Sequence, residues 1–142
     1  MTAAKTGWGG EFHFTNDSAV LTELVEVKGF TLPNGEVEQL DATHLKSPNR
    51  RREKIAGMID DGDLEVRLNY VPGSATDLLI MQAFTEGDIR AYEAEVPRAS
   101  GVNWVISGTA FISGVDRGEI VADGIMEVTV TFTLSGSSTE GS

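Results

Sequence analysis

Strict alternation of apolar and polar residues in two separate stretches constrains the fold of this chain more than any other feature. In the first stretch, from Asp63 to Val71, the apolar positions are Leu64, Val66, Leu68 and Tyr70. In the second, from Ile125 to Leu134, they are Met126, Val128, Val130, Phe132 and Leu134. Successive side chains of a strand point to opposite faces, so this period predicts two strands with one buried face each. The other face carries Asp63, Glu65, Arg67 and Asn69 in the first stretch, and Glu127, Thr129, Thr131 and Thr133 in the second.

One helix is predicted between these strands. Pro72-Gly73 ends the first strand, and Ser74 with Asp77 matches a capping box, in which two side chains satisfy free amides at a helix start. Apolar residues follow from Leu78 to Phe84, and Gly87 is placed to end the helix.

The other elements predicted from β-branched runs and turn residues are strands. They cover residues 19–28, 36–45, 89–96, 103–113 and 119–122, and the turn Pro33-Asn34-Gly35 folds the second back onto the first. The fold class is therefore mainly β: an antiparallel two-sheet sandwich or barrel with one flanking α-helix and a long inter-strand loop. We expect a flexible N-terminal arm over residues 1–17, one β domain over 18–135 with its long loop at 44–62, and a disordered segment at 136–142.

The sequence shows no sign of a membrane or secretory segment. No run of about 18 apolar residues is present, and residues 1–10 lack the apolar centre of a signal peptide. With no cysteine, neither disulfides nor thiolate ligands are available. We therefore expect a soluble protein that is made where it is used or leaves by some other route.

Charge is distributed unevenly. The chain carries 22 acidic and 11 basic residues, for a formal net charge of −11. Five of the basic residues lie within nine positions: Lys46, Arg50, Arg51, Arg52 and Lys54. An acidic body repels phosphate, so affinity for nucleic acid is not expected. The basic segment is equally well read as a solvated loop or as a contact with the acidic surface of another copy.

Catalysis and metal binding have little support in the sequence. The two histidines, His13 and His44, lie in separate segments, and no nucleophile elbow, zinc-protease motif or phosphate-binding glycine loop is present. Asp60-Asp61-Gly62-Asp63 lacks the ligand spacing of a calcium loop. We therefore predict no catalytic residue, no cofactor and no metal site, and expect both histidines to be structural or solvent-exposed.

The order of elements and several short signatures carry a resemblance to a known family. Leu40-Asp41-Ala42-Thr43 ends a hairpin and leads into a long loop with arginines. Asp60-Asp61-Gly62 precedes the strand from Leu64 to Tyr70, and Pro72 leads directly to the helix. Over about residues 18–135 this order resembles the major tail tube proteins of long-tailed, non-contractile phages and related phage-like particles.

The resemblance implies a function in assembly. Six copies would join their sheets into a ring, and stacked rings would form a tube in the virion tail. That tube would enclose a tape-measure protein and contact tail-tip and tail-terminator proteins. It would conduct DNA without sequence-specific binding. The subunit would be made in the host cytoplasm. Ring-to-ring contacts would fall on the long loop, at Lys46, Arg50, Arg51, Arg52, Lys54, Ile55, Met58 and Ile59, and on the arm, at Trp8, Phe12 and Phe14.

Two other readings are kept open. The inner tube of a contractile tail and the type VI secretion tube share this general fold. A monomeric β-sandwich that binds a ligand such as carbohydrate belongs to a different class, and exposed aromatic residues on one face would be its signature. An enzyme is the third choice.

Overall fold

The computed structural model describes residues 6–141, which form nine strands and one α-helix. The strands are β1 (Glu11–Thr15), β2 (Leu21–Glu23), β3 (Val27–Phe30), β4 (Glu36–Asp41), β5 (Lys54–Asp60), β6 (Asp63–Asn69), β7 (Arg90–Val96), β8 (Trp104–Asp116) and β9 (Glu127–Gly141). The helix α1 spans Ala75–Glu86, and Pro48–Arg50 form a single 3₁₀ turn. No helix in the described part is long and apolar enough to cross a membrane.

Seven of the strands form one antiparallel sheet in the order β2-β1-β7-β8-β9-β6-β3, which curls so that its two ends approach each other. The ring of Phe12 on β1 lies 5.8 Å from that of Phe30 on β3, although these strands are near opposite ends of the sheet. Curling encloses one core and gives the predicted sandwich-like, mainly β fold with one flanking helix. The remaining strands, β4 and β5, pair only with each other.

Both alternating stretches are strands with their apolar faces inward, as predicted. On β6 the buried residues are Leu64, Val66 and Leu68, and on β9 they are Val128, Val130 and Phe132. The two strands are direct neighbours, with Val66 opposite Val130 and Leu64 opposite Phe132. Facing pairs of this kind remove apolar surface from water on both strands, which is the main driving force for the fold.

The helix is also confirmed, with its caps. The Ser74 hydroxyl accepts a hydrogen bond from the Asp77 amide at 3.2 Å, and an Asp77 carboxylate oxygen accepts one from the Gly73 amide at 3.1 Å. Gly87 ends the helix at φ +65°, a left-handed conformation that costs glycine little. Leu79, Ile80 and Ala83 bury the inner face of the helix in the core.

Arg90, at the start of β7, ties the end of the helix to the sheet. Its side chain is 4 % exposed and donates to Glu86 at 2.7 Å and to Asp88 at 2.9 Å. It also donates to the Thr15 carbonyl at 3.3 Å. These bonds satisfy a guanidinium that would otherwise be buried at high cost, and the hydrogen bond from Arg90 lowers the pKa of Asp88.

Replacing the capping serine gives a test of this helix start. We expect Ser74→Ala to lower the free energy of unfolding by about 1 kcal/mol, because an amide at the helix start loses its acceptor. Ser18→Ala, at an exposed turn, serves as the control and should change it by less than about 0.5 kcal/mol. Denaturant unfolding followed by circular dichroism measures both; equal values for the two variants would contradict the capping role.

Two of the predicted boundaries at the ends of the chain are wrong. Residues 11–15, assigned to a flexible arm over 1–17, are the strand β1, which pairs with both β2 and β7. Phe12 and Phe14 are fully buried in the core. Residues 136–141, predicted to be disordered, belong to β9 and pair with β8, with Thr139 opposite Ser107. Residues 1–5 and 142 of the predicted arm and tail lie outside the described residues.

Three internal predictions also need correction. The strand predicted over 19–28 is two short strands, β2 and β3, separated by residues that include Glu26 at φ +61°. The strand β4 pairs with β5 instead of folding back on the preceding strand, so the predicted loop at 44–62 contains the strand Lys54–Asp60. Residues 119–122 are not a strand; they lie in the connection between β8 and β9.

Candidate self-assembly surface

The strands β4 and β5, with residues 42–53 that join them, form a two-stranded hairpin that we call the ribbon. Almost all of its residues are exposed, and its strands pair with no strand of the seven-stranded sheet. A two-stranded hairpin is marginally stable alone in water and becomes stable when a third surface packs on it. The ribbon therefore has the form of a segment that completes its packing on another molecule.

Apolar side chains on the ribbon point into solvent. Val37 lies opposite Ile59 and Leu40 lies opposite Ile55 across the two strands. Ile59 is 70 % exposed and Met58 is 82 % exposed. Exposed aliphatic residues clustered on an unsupported hairpin make the ribbon a candidate interaction surface. The family resemblance predicted contacts at Ile55, Met58 and Ile59, and this stays a prediction. It did not include Val37 and Leu40, which lie on β4 with three acidic residues.

Charge is distributed unevenly along the ribbon. The basic residues Arg50, Arg51 and Arg52 are exposed in the connection at the far end, together with Lys46, and outnumber the acidic Asp41 and Glu53 there. At the base, Glu36 is opposite Asp60. Arg52 approaches Asp41 at 3.9 Å, but both side chains are more than half exposed, so water screens this pair. The far end of the ribbon is therefore a cationic surface on a strongly acidic protein.

The far end of the ribbon is ordered by its own hydrogen bonds. The Thr43 hydroxyl accepts from the Glu53 amide at 2.8 Å, and the Ser47 hydroxyl donates to the Glu53 carboxylate at 3.1 Å. The amide of Thr43 donates to Asp41 at 2.9 Å, and hydrogen bonding by Thr43 lowers the pKa of the Asp41 carboxyl. Arg50 adopts φ +55°, a conformation that is uncommon outside glycine. The arginines are thus presented on a defined turn.

The structure separates the three aromatic residues that were predicted to make arm contacts. Trp8 is 86 % exposed on a turn closed by a hydrogen bond from the Gly10 amide to the Gly7 carbonyl. Phe12 and Phe14 are core residues and have no exposed surface with which to contact another molecule. Of the predicted arm contacts, only Trp8 is available on the surface of the subunit.

The outward face of β6 and β9 is polar. Asp63 lies opposite Thr133, and Glu65 lies opposite Thr131. All four side chains point away from the core, since the alternate positions of both strands are buried. This face is the acid-and-threonine surface that the alternating pattern predicted.

A small cleft lies beside the start of the helix. It has a volume of about 150 Å³ and is lined mainly by apolar side chains, among them Val25, Leu68, Tyr70 and Ile80. Pockets for small molecules usually measure roughly 300–1,000 Å³ and converge on several polar groups. The cleft is smaller and more apolar than a typical small-molecule site.

A family model described as "Lambda phage tail tube protein, TTP" matches residues 7–141. This chain belongs to the lambda phage tail tube protein family. The tail tube protein is therefore a structural component of a virion tail and not an enzyme. A search of curated protein sequences found no match to it.

Solved structures show the same fold at low sequence identity. The tail of an empty gene transfer agent particle matches with a TM-score of 0.76 at 16% identity, covering 98% of the tail tube protein and 100% of that chain. The SPP1 tail tube matches with a TM-score of 0.67 at 16% identity, covering 96% and 78%. A sheath/tube terminator structure of an extracellular contractile injection system matches with a TM-score of 0.74 at 7% identity, covering 100% and 99%.

Proposed function

We propose that six copies of this tail tube protein form a ring and that rings stack into a hollow tube. The tube encloses a tape-measure protein during assembly and conducts DNA afterwards, and its ends meet tail-tip and tail-terminator proteins. The observation that carries the proposal is the ribbon: an exposed apolar hairpin with a cationic end, on a protein of the tail tube family.

Ring closure would use the edges of the curled sheet. β2 and β3 are its two edge strands and have three and four residues. An edge strand presents unpaired amides and carbonyls, and pairing with another chain satisfies them. Leu21 on β2 is 40 % exposed and Val25, just beyond it, is 61 % exposed. Joining one copy to the next at these edges buries both side chains.

Ring stacking would use the ribbon. Its apolar residues Ile55, Met58 and Ile59 would pack on the neighbouring ring, while Arg50 to Arg52 would meet acidic residues of that ring. With a net charge of −11 the subunit offers acidic surface in excess, and opposite charges steer the approach of the two rings. Trp8 would add an aromatic contact from the N-terminal turn.

An acidic surface on the subunit suits the inner wall of the proposed tube. A channel wall rich in carboxylates repels the phosphates of DNA, so the polymer passes without binding. The outward face of β6 and β9, with Asp63, Glu65 and Glu127 against Arg67, has this character. DNA would therefore be cargo in passage and not a ligand.

One alternative retains a specific observation in its favour. The likeness to a component of a contractile injection system supports the reading in which this protein forms the inner tube of a contractile tail. The monomeric carbohydrate-binding reading has no comparable support. Over residues 6–141 the exposed aromatic side chains are Trp8 and Phe84, on separate elements, and Trp104 is covered by the Arg98 guanidinium at 5.0 Å.

Electron microscopy of the purified protein at high concentration tests the proposal. We expect six-membered rings or hollow tubes, with tail-tip proteins supplied as initiators where the subunit alone stays monomeric. A protein that remains a single particle under all these conditions would contradict the proposed function.

Reversing the charge of the arginines tests the stacking contact. We expect the triple variant Arg50→Glu, Arg51→Glu, Arg52→Glu to remain folded and to lose tube growth, because acidic surfaces would then face each other. The matched control replaces the same three residues with Lys, which keeps the charge, and should still form tubes at low salt. Tube growth by the glutamate variant at the wild-type rate would remove the basic end from the contact.

A further inference from the structure

Three potential metal ligands converge on the outer face of the sheet, away from the ribbon. Glu11 and His13 lie on β1, and Glu95 lies on β7 directly opposite Glu11. The ligand atoms of the three side chains all lie within 4.8 Å of one another. Since strands β1 and β7 are paired within the sheet, their backbones hold these side chains in place.

The imidazole of His13 points between the two carboxylates. Its Nε2 atom is 3.6 Å from an oxygen of Glu11 and 3.8 Å from an oxygen of Glu95. Both distances are too long for a hydrogen bond. The same nitrogen is shielded from water and has no hydrogen-bond partner among the described residues. A buried polar atom without a partner is rare and points to a missing ligand.

The two carboxylates are placed where like charges repel. Directly opposite residues of an antiparallel pair are close, and two negative charges there destabilise the sheet. Side-chain hydrogen bonding between them lowers the pKa of Glu11 and raises the pKa of Glu95. A cation bound at this position would offset the repulsion between the two carboxylates.

The neighbouring charges also favour a cation. His13 lies opposite Glu23 on one side and opposite Glu93 on the other. Both residues are acidic, and they flank the cluster on the two adjoining strands. The local potential around the His13 imidazole is therefore negative.

We propose that Glu11, His13 and Glu95 form a binding site for a divalent transition-metal ion of the Zn²⁺ class. One imidazole with two carboxylates suits zinc and its neighbours better than calcium or magnesium, which prefer oxygen ligands alone. Zinc bonds of about 2.0–2.2 Å in a tetrahedral site separate ligand atoms by about 3.4 Å. The two separations from His13 Nε2, 3.6 and 3.8 Å, lie within about 0.4 Å of this value, and all three ligand atoms lie within 4.8 Å of one another.

The site leaves a fourth position open. Three protein ligands with water in the fourth place are the usual arrangement of an accessible zinc site. Bound metal would clamp β1 to β7 and so fix the N-terminal strand on the sheet. This role is separate from tube formation, since neither the ribbon nor the edge strands contribute a ligand.

Titration of the full chain with Zn²⁺ at neutral pH, followed by calorimetry, tests the site. We expect one ion per chain, and an increase in melting temperature with zinc because the ion binds the folded state. Removing an outer-shell residue of a metal site typically weakens binding by about 10–100-fold, so losing a direct ligand in His13→Gln should cost about 100-fold or more. Glu95→Gln should weaken binding as well. Co²⁺ should give the visible absorption of a four-coordinate site in the wild type and lose it in these two variants.

The second histidine provides the control. His44 contacts Glu53 at 3.2 Å in an exposed pair that offers two ligands instead of three. His44→Gln should therefore bind zinc as the wild type does. Circular dichroism confirms that each variant is folded. The proposal is overturned if the wild type binds no zinc at a defined stoichiometry, or if His13→Gln and Glu95→Gln bind it unchanged. The alternative, in which a protonated His13 pairs with both carboxylates, predicts this second result.

Discussion

Replacing Phe12 with alanine is expected to destabilise this tail tube protein by about 3–5 kcal/mol, the usual cost of removing a fully buried phenylalanine. The ring is shielded from water on all sides and lies 5.2 Å from the ring of Phe132 and 6.0 Å from that of Tyr92. The substitution removes these contacts and leaves a cavity where the two ends of the curled sheet meet. Denaturant unfolding of the purified subunit measures the loss directly.

Trp8 provides the matched comparison for Phe12. It is also aromatic and lies four residues earlier, but its side chain is 86 % exposed. We expect Trp8→Ala to change the free energy of unfolding by less than about 0.5 kcal/mol, as for most surface substitutions. Comparing the two variants distinguishes a core strand at residues 11–15 from a flexible arm. If Phe12→Ala were as stable as the wild type, residues 11–15 would belong to the arm.

Introducing a charge at Ile59 is expected to have the largest effect on assembly. The side chain is 70 % exposed in the subunit, so Ile59→Asp should leave the fold intact. In a tube the same position would be covered by the neighbouring ring, and an unpaired carboxylate buried there costs several kcal/mol. A loss of about 3 kcal/mol raises the critical concentration for tube growth by more than about 100-fold. Sedimentation of tubes over a concentration series measures this value.

Ile125 offers a control of the same residue type and similar exposure. It is 77 % exposed in the connection between β8 and β9, outside the ribbon. Ile125→Asp should assemble at close to the wild-type concentration. Equal critical concentrations for the two variants would show that Ile59 of the ribbon makes no assembly contact that Ile125 lacks.

The parts of the fold that were predictable from the sequence depend on local patterns. The alternation on β6 and β9 and the Ser74 cap of the helix are visible in short windows, because period and capping act over neighbouring residues. The strand β1 was not predicted, since the turn glycines before it suggested an arm and its pairing partners on β7 lie far away in sequence. The end of β9 is polar and rich in serine, and backbone pairing with β8 is what extends it.

The candidate sites also combine features that the sequence shows with features that only the fold reveals. The sequence shows the cluster of basic residues and the apolar run from Ile55 to Ile59. These residues of the ribbon could therefore be singled out, but the hairpin that they form could not. That β4 and β5 form a hairpin apart from the main sheet depends on what the body of the protein leaves uncovered, and no local pattern records this. The group of Glu11, His13 and Glu95 was missed because only the β1–β7 register brings Glu95 to the other two.

Hydrogen exchange of the ribbon amides, compared between free subunits and assembled tubes, tests most directly whether ribbons hold the rings together. Free subunits should exchange the amides of Glu36–Asp41 and Lys54–Asp60 rapidly, since this hairpin has no covering layer. Tubes should protect them to the level of β6 in the core. Equal and rapid exchange of these amides in subunits and tubes would contradict the account and place the stacking contact elsewhere on the molecule.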